Sequence, residues 1–171
     1  MRILIYTTHR TGSTSLANFL MFNYLYDYQR YAYFKKMQND LPTDIIIKLT
    51  PNEIDYNIVK NLFDKRIILI REDIKAQAES RVYSEIFGKK FSSYTIENTF
   101  FEKYSNEITK MCKLIECENK LLVNCKDALQ LTYSELYKSN IGIVKLENYF
   151  DTKFKYELEY KRYRNMNQNL L

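Results

Sequence analysis

Three nearly continuous apolar runs constrain the fold of this chain more than any other feature. The runs cover residues 3–8 (ILIYTT), 44–50 (DIIIKLT) and 66–71 (RIILIR) and are rich in β-branched side chains. Apolar runs that do not alternate with polar residues are typical of strands buried on both faces of a parallel sheet. The sequence therefore predicts three parallel core strands.

Helical patterns separate and follow these runs. The first spans about residues 15–26 and opens with hydroxyl residues suited to an N-cap. The second begins at Pro51 and ends near residue 63, and the third follows the N-cap candidate Asp73 to about residue 87. Alternating strands and helices predict an α/β fold in which helices flank a central, mostly parallel sheet.

The remaining segments fit the same single domain. We predict one or two helices over 96–119, a fourth strand at 129–132, a closing helix over 139–150, and an irregular surface segment over 29–41. Neither a repeat nor a low-complexity linker divides the chain. Residues 1–171 are therefore predicted to form one domain, with 155–171 as a C-terminal tail.

The modest charge of the chain suits a small anionic ligand as well as a weak nucleic-acid binder, but the distribution of basic residues does not predict nucleic-acid binding. The formal net charge is +5, and no run of lysine and arginine is dense enough to follow a phosphate backbone. Lys161, Arg162 and Arg164 cluster near the end of the chain, where a solvated tail is expected.

The cysteines and the apolar segments predict a reduced, cytoplasmic protein without a metal site. Cys112, Cys117 and Cys125 match no zinc-binding spacing, and the chain has one histidine. The first strand is too short and wrongly flanked for a signal peptide, and no apolar segment reaches the roughly 20 residues of a membrane span.

The first run leads into a short loop and a helix start with the sequence HRTGSTS. The N-terminus of a helix binds anions through its unpaired N–H groups and the positive end of its dipole. Gly12 lets the backbone approach a ligand closely, and Arg10 adds a charge that can fork onto phosphate or sulfate oxygens. Ser13, Thr14 and Ser15 add hydroxyl donors. An anion site is predicted, although an ordinary strand-to-helix turn also fits.

The loop does not fit the nucleotide-kinase P-loop. That motif requires G-x-x-x-x-G-K-[ST], whereas this loop has one glycine and no lysine.

Three segments in order resemble the sulfotransferases that use 3′-phosphoadenosine 5′-phosphosulfate (PAPS). Residues 10–16 (RTGSTSL) resemble the 5′-phosphosulfate loop, in the R-[ST]-G-S-[ST] form of carbohydrate and bacterial trehalose-type enzymes. Residues 70–80 (IREDIKAQAES) resemble the 3′-phosphate motif, and residues 131–136 (LTYSEL) resemble the Y-E-D-L element. The resemblance extends over most of residues 3–150 and implies a P-loop-like fold of three layers.

The resemblance implies a set of nucleotide-binding residues. In the family pattern an arginine directly precedes the aspartate, but here Glu72 has that position and Arg71 lies one residue earlier. Because one residue along a strand reverses the side chain, a bulge or a strand end would have to re-aim Arg71, with Arg81 as the alternative. The implied set is Arg10, Thr11, Gly12, Ser13, Thr14, Ser15, Arg71, Ser80 and Tyr133.

The residues that would act on the transferring group match the family less completely. Residues 47–51 (IKLTP) resemble the K-T-H-x-P segment of cytosolic sulfotransferases, which implies that Lys48 contacts the sulfuryl group. Thr50 lies where those enzymes have a catalytic histidine, and threonine is no general base at neutral pH. The glutamate that trehalose-type enzymes use after the first helix is also missing, and Asp27 and Asp40 are the nearest carboxylates. A carboxylate such as Asp27, or His9, would then take the proton of the hydroxyl. Lys48 could instead cap a strand end, and His9 could be structural.

We therefore expect an enzyme that moves a sulfuryl group from its co-substrate PAPS to a hydroxyl and releases 3′-phosphoadenosine 5′-phosphate (PAP). The implied catalytic residues are Lys48, Arg10, His9 and Asp27, without a metal. The acceptor would be a sugar, a lipid head group or a small alcohol. The alternatives are a relative that binds PAPS or PAP without catalysis, and a P-loop kinase. Because family members are longer, the acceptor site would be open, or completed by a second subunit of a homodimer.

Overall fold

The structure is a computed structural model that describes residues 1–37, 39–88, 98–156 and 158. Strands β1 to β5 are Arg2–Thr7, Asp27–Arg30, Ile45–Leu49, Lys65–Ile70 and Leu129–Thr132. Helices α1 to α8 are Ser13–Tyr24, Tyr31–Met37, Tyr56–Val59, Ile74–Phe87, Asn98–Lys103, Ser105–Val123, Tyr133–Tyr137 and Ile141–Phe150, and a 3-10 turn at Lys60–Leu62 follows α3.

The strands form one parallel sheet with the order β2-β3-β1-β4-β5. The α/β fold with helices on a central parallel sheet is therefore confirmed. All carboxyl ends lie at one edge, and the chain continues from β1 first to one side of the sheet and later to the other. Ligands of such sheets bind at this edge, near the strand where the order reverses. The loop between β1 and α1 lies at that point.

Successive side chains of each strand pack on opposite faces, which produces two cores. On one face, Ile3, Ile5 and Ile46 pack with residues of α1, α7 and α8 such as Leu16. On the other face, Leu4, Tyr6, Ile45 and Ile47 pack with residues of α2, α3 and α6. Both faces are covered, which explains why the strands read as continuous apolar runs. A third cluster joins α4, α5 and α6.

The prediction of an irregular segment at 29–41 is wrong. Residues 29 and 30 complete the edge strand β2, and α2 follows directly. The sequence of β2, DYQR, is polar because the strand is at the edge and largely accessible, so backbone pairing with β3 rather than an apolar pattern defines it.

The predicted helix from Pro51 to residue 63 is much shorter in the structure. Residues 51–55 form a turn, and α3 begins after Asp55, whose carboxylate accepts a hydrogen bond from Asn57 N. Asp55 therefore caps a helix whose first residue, Tyr56, lies five residues after the predicted start at Pro51.

The other predicted elements agree more closely. Helix α1 begins at Ser13, two residues early, and α4 begins after the predicted cap Asp73, which accepts from Ala76 N. The 96–119 prediction corresponds to α5 and α6, and its first two residues lie outside the described ranges. Of the predicted tail, the backbone N–H groups of Lys155 and Tyr156 donate to Asn23 Oδ1 of α1, and residues 159–171 lie outside the description.

No helix within the described ranges has the length and apolar character needed to cross a membrane.

Candidate functional site

The loop between β1 and α1 is a tight turn with two left-handed residues. Arg10 has φ 66° and Gly12 has φ 83°. For a non-glycine residue such as Arg10 this conformation costs about 1–2 kcal/mol, and strain of this kind is often stored at functional sites. The carbonyl of Gly12 accepts from Ser15 N and Leu16 N, whereas the N–H groups of Ser13 and Thr14, at the start of α1, have no earlier carbonyl of that helix to donate to.

Buried hydrogen bonds fix the base of this loop. Thr7 Oγ1 donates to Leu69 O at 2.6 Å and pairs with Thr11 Oγ1 at 2.8 Å. From α4, Gln77 Nε2 donates to Thr8 Oγ1 and to His9 O, both at 2.6 Å. The Thr11 hydroxyl is therefore turned into the protein, and Thr11 can offer a ligand its backbone N–H rather than its side chain.

Tyr137 of α7 holds Gly12 in place through a hydrogen bond and through contact with its ring. The phenol of Tyr137 donates to Gly12 O at 2.7 Å, and a Cβ on Gly12 would lie 2.7 Å from the ring carbon Cε2. Glycine is therefore required here twice, for its left-handed φ and for the space occupied by the ring.

The structure brings Arg10 and Ser80 together. Arg10 Nε donates to Ser80 Oγ of α4 at 2.8 Å. Two residues 70 positions apart, each expected from the sequence to bind a phosphate, thus lie side by side at the carboxyl edge of the sheet.

Arg71 also reaches the loop. Strand β4 ends at Ile70, so Arg71 is free of the strand alternation, and its Nη1 donates to Arg10 O at 3.1 Å. Its guanidinium lies 4.9 Å from the ring centroid of Tyr133, and the ring of Tyr133 packs at a tilt of 46° against that of Tyr137. Glu72 turns to the start of α7, where it accepts from Ser134 N. The end of the strand therefore re-aims Arg71 as the sequence required.

Arg81 is buried rather than exposed on its helix. Its Nη1 pairs with Glu118 Oε2 of α6 at 2.8 Å, and the two side chains are 7% and 3% exposed. The other oxygen of Glu118 accepts from Asn52 Nδ2 in the turn after β3. Glu118 therefore neutralises the charge of Arg81 within the protein.

Lys48 lies on β3 beside the loop, with Ile5 of β1 as its partner in register. It shares the face of α1 with Ile46, and it is half-buried. Desolvation, helped by the charges of Arg30 and Arg10 and opposed by Glu53, lowers the pKa of Lys48 to about 8. The side chain is therefore a cation in an environment that is already positive, as expected for a group that meets an anion.

Glu53 is a carboxylate near the site that the sequence did not point to. Its Oε2 accepts from Thr50 N at 2.8 Å, and Thr50 O accepts from Glu53 N at 3.0 Å. The segment Thr-Pro-Asn-Glu thus makes half of a capping box, and that pattern could have identified Glu53 from the sequence. Thr50 itself is buried, and its hydroxyl has no hydrogen-bond partner within the described residues.

His9 directly precedes Arg10 in the loop, and its side chain is exposed although it is partly desolvated. Desolvation, followed by the positive charges of Arg81 and Lys48, lowers its pKa, while Glu53 and Glu118 act in the opposite direction. The imidazole is therefore neutral near pH 7 and is able to accept a proton.

Asp27 does not belong to this site. It begins β2, pairs with Ile45 at the start of β3, and its N–H donates to Asp44 O. The amino ends of parallel strands lie at the edge opposite to their carboxyl ends. Asp27 is therefore at the edge of the sheet away from the loop, and it cannot take a proton from a hydroxyl bound there.

Within the described residues, no group of three or more His, Cys, Asp or Glu side chains is arranged to hold a metal ion. Cys112, Cys117 and Cys125 are unpaired thiols.

Comparison with known proteins identifies the fold. No protein-family model and no curated protein sequence matches the chain. Mouse sulfotransferase SULT7A1 complexed with PAP is similar in structure, with a TM-score of 0.56 and 15% identity over 90% of this chain and 59% of its own. Retinol dehydratase in complex with androsterone and the inactive cofactor PAP gives a TM-score of 0.53 and 12% identity over 99% of this chain and 64% of its own. The chain spans about three fifths of the length of these two structures, and it has the fold of sulfotransferases.

Proposed function

We propose that this protein is a PAPS-dependent sulfotransferase that transfers a sulfuryl group to a hydroxyl of a small molecule. The observation that carries the proposal is the contact of Arg10 with Ser80 at the carboxyl edge of the sheet. This contact joins a helix-N-terminal anion loop to a second polar site on α4, as a nucleotide with phosphates at both 5′ and 3′ positions requires. The R-T-G-S-T form of the loop favours carbohydrate or trehalose-type relatives.

The 5′-phosphosulfate would lie over the N–H groups of residues 11–15, with Arg10 in contact. Ser80 and Arg71 would hold the 3′-phosphate, and Tyr133, stacked on Arg71, would border the nucleotide. Backbone N–H groups at a helix start suit an oxyanion because they are fixed before the ligand arrives.

In the reaction, the acceptor oxygen attacks sulfur in line as the bond from sulfur to the bridging phosphate oxygen breaks. PAP departs with the electron pair of that bond, and Arg10, Lys48 and the loop N–H groups stabilise its developing charge. The hydroxyl proton passes to Glu53 or to His9. The charge of Glu53 favours the cation of Lys48, and the charge of Lys48 favours the neutral form of His9. Proton transfer of this kind contributes roughly 10²–10⁴-fold.

We also propose that residues 1–171 act as one sulfotransferase-like domain and that the protein works in the cytoplasm. The three unpaired cysteines support the second point, since thiols persist in reducing compartments.

A second function, PAP or PAPS binding without catalysis, is favoured by one observation. Thr50, at the position of the family's histidine, is buried and has no basic nitrogen to offer. Loss of the histidine with no replacement by Glu53 or His9 would leave a binding protein.

The test begins with binding. Calorimetry with PAP, adenosine 5′-phosphate and ATP with magnesium should show that removal of the 3′-phosphate weakens binding about tenfold or more, since charge-assisted contacts are lost. Equal affinity for PAP and adenosine 5′-phosphate would contradict the proposal, and tighter binding of ATP with magnesium than of PAP would favour a kinase. Transfer from ³⁵S-labelled PAPS to sugars, phenols and alcohols then separates an enzyme from a binding protein.

A further inference from the structure

Arg30 and Lys48 form a pair of like charges across neighbouring strands. Arg30 is the last residue of β2, and its partner in register on β3 is Lys48. Partners in register on parallel strands point to the same face and lie about 4.8 Å apart along the sheet. Both side chains therefore project on the face of α1 near the carboxyl ends of their strands, with Lys48 on the strand next to β1 and Arg30 one strand farther away.

This pairing is unfavourable in the protein alone. Like charges directly opposite each other on a sheet destabilise it. Neither residue forms an ion pair within the part of the chain that the structure describes. The charge of Arg30 acts on Lys48 more strongly than that of any other residue, and Glu53 opposes only part of the effect. An anion at this position would relieve the repulsion.

The strand order decides which anion this is. The loop lies above β1, and the residues proposed for the 3′-phosphate, Arg71 and Ser80, are on the β4 side of it. Lys48 and Arg30 lie on the opposite side, on β3 and β2. A nucleotide that extends from the loop toward β4 would contact Arg10 and Lys48 with its sulfuryl end. It would not reach Arg30, whose charge would still lack a neutralising anion.

We infer that the hydroxyl acceptor carries an oxyanion, a carboxylate or a phosphate or sulfate ester, that Arg30 binds on the β2 side of Lys48. This inference rests on the proposed function and names the class of its substrate. The guanidinium of Arg30 offers a forked pair of donors to such a group, and its exposure lets an acceptor reach it from solution. The anion would hold the hydroxyl next to the sulfuryl group at Lys48.

The experiment compares paired probes that differ in charge. Glucose 6-phosphate is compared with glucose, and 4-hydroxybenzoate with 4-hydroxybenzamide, by calorimetry on the full chain saturated with PAP. We expect the anionic member of at least one pair to bind about tenfold or more tightly than its neutral partner, with the difference shrinking as salt is raised. A preference for the anion in the phosphate pair or in the carboxylate pair shows which kind of oxyanion Arg30 binds.

Arg30→Gln should remove the preference for the anion. Lys35→Gln is the control. It removes one positive charge from an exposed position on α2, which packs on the other face of the sheet, and the preference for the anion should remain. Equal or undetectable binding of both members of both pairs, or a preference that survives Arg30→Gln, overturns the inference. PAP affinity is measured separately, so a protein that binds PAP without this preference refutes the acceptor class alone, whereas failure to bind PAP refutes the proposed function.

Discussion

Arg10 Nε donates a hydrogen bond to Ser80 Oγ at 2.8 Å, which connects the proposed 5′ and 3′ phosphate sites before any nucleotide is bound. The two residues come from the loop after β1 and from the second turn of α4. Their contact means that the two sites are not independent, and a change in one should alter binding at the other.

Replacement of Arg10 by alanine should weaken PAP binding by about 1.5–3 kcal/mol, the range for hydrogen bonds to charged groups. Ser80→Ala should also weaken it, and the double variant should lose less than the sum of the two single variants because they act together. Calorimetry measures all three. Lys113→Ala, an exposed change on α6, is the control, and unchanged affinity in Arg10→Ala would contradict the placement of the nucleotide.

Lys48→Met should lower turnover much more than PAP affinity. If Lys48 meets the transferring group, its charge matters more in the transition state than in the ground state. The expected loss is roughly 10²-fold, by analogy with the removal of one oxyanion donor. Equal losses in binding and in turnover would make Lys48 a simple nucleotide ligand, and no loss in either would make it a solvated strand end.

The lowered pKa of Lys48 also predicts a pH dependence. The cation is the active form, so kcat/KM should fall as the pH rises through about 8, where the free protein loses this proton. Bound PAPS is an anion that favours the cation, so the fall in kcat should occur at higher pH. Lys48→Arg should keep the positive charge, so the fall of kcat/KM should move to higher pH. A fall that stays near pH 8 would belong to the titration of another group.

Glu53→Gln tests the identity of the proton acceptor. Glutamine preserves an oxygen that can accept from Thr50 N but cannot take a proton, so the turn should survive while turnover falls about 10²-fold or more. Single-turnover assays at saturating PAPS measure the effect, with the exposed Glu116→Gln as control. Full activity in Glu53→Gln together with loss in His9→Gln would transfer the role to His9.

Glu118→Gln should destabilise the fold by about 3–5 kcal/mol, since it leaves Arg81 charged and unpaired in a buried place. Urea unfolding measures this loss. Arg81→Met combined with Glu118→Leu should recover most of the stability, because a buried pair replaced by apolar groups is often neutral or stabilising. A single variant as stable as the parent would mean that water reaches Arg81.

The sequence was sufficient where one local signal decided the structure. The run RIILIR and the cap Asp73 defined β4 and α4 nearly to the residue, because a strand buried on both faces and a capped helix start are local properties. Strand β2 could not be found in this way. Its residues are polar, and its pairing with β3 depends on the rest of the sheet.

The candidate site shows the same division. The loop around Gly12 was recognisable from its residues, but the contact of Tyr137 with it joins positions 125 residues apart. Asp27 was chosen by its position in the sequence, and the parallel strand order placed it at the opposite edge. The half capping box of Thr50 and Glu53 was present in the sequence, but the helix predicted to begin at Pro51 gave Glu53 no such role, so the turn after β3 was needed to recognise it.

The strand order β2-β3-β1-β4-β5 also sets a fixed length scale for whatever binds along the carboxyl edge. Arg30 on β2 and Tyr133 just beyond β5 are separated by four strand intervals, roughly 19 Å at about 4.8 Å each. Backbone hydrogen bonds maintain these intervals, so a side-chain substitution cannot shorten them. We therefore expect substitutions of residues along this edge to change how tightly a molecule binds more readily than how long a molecule fits there.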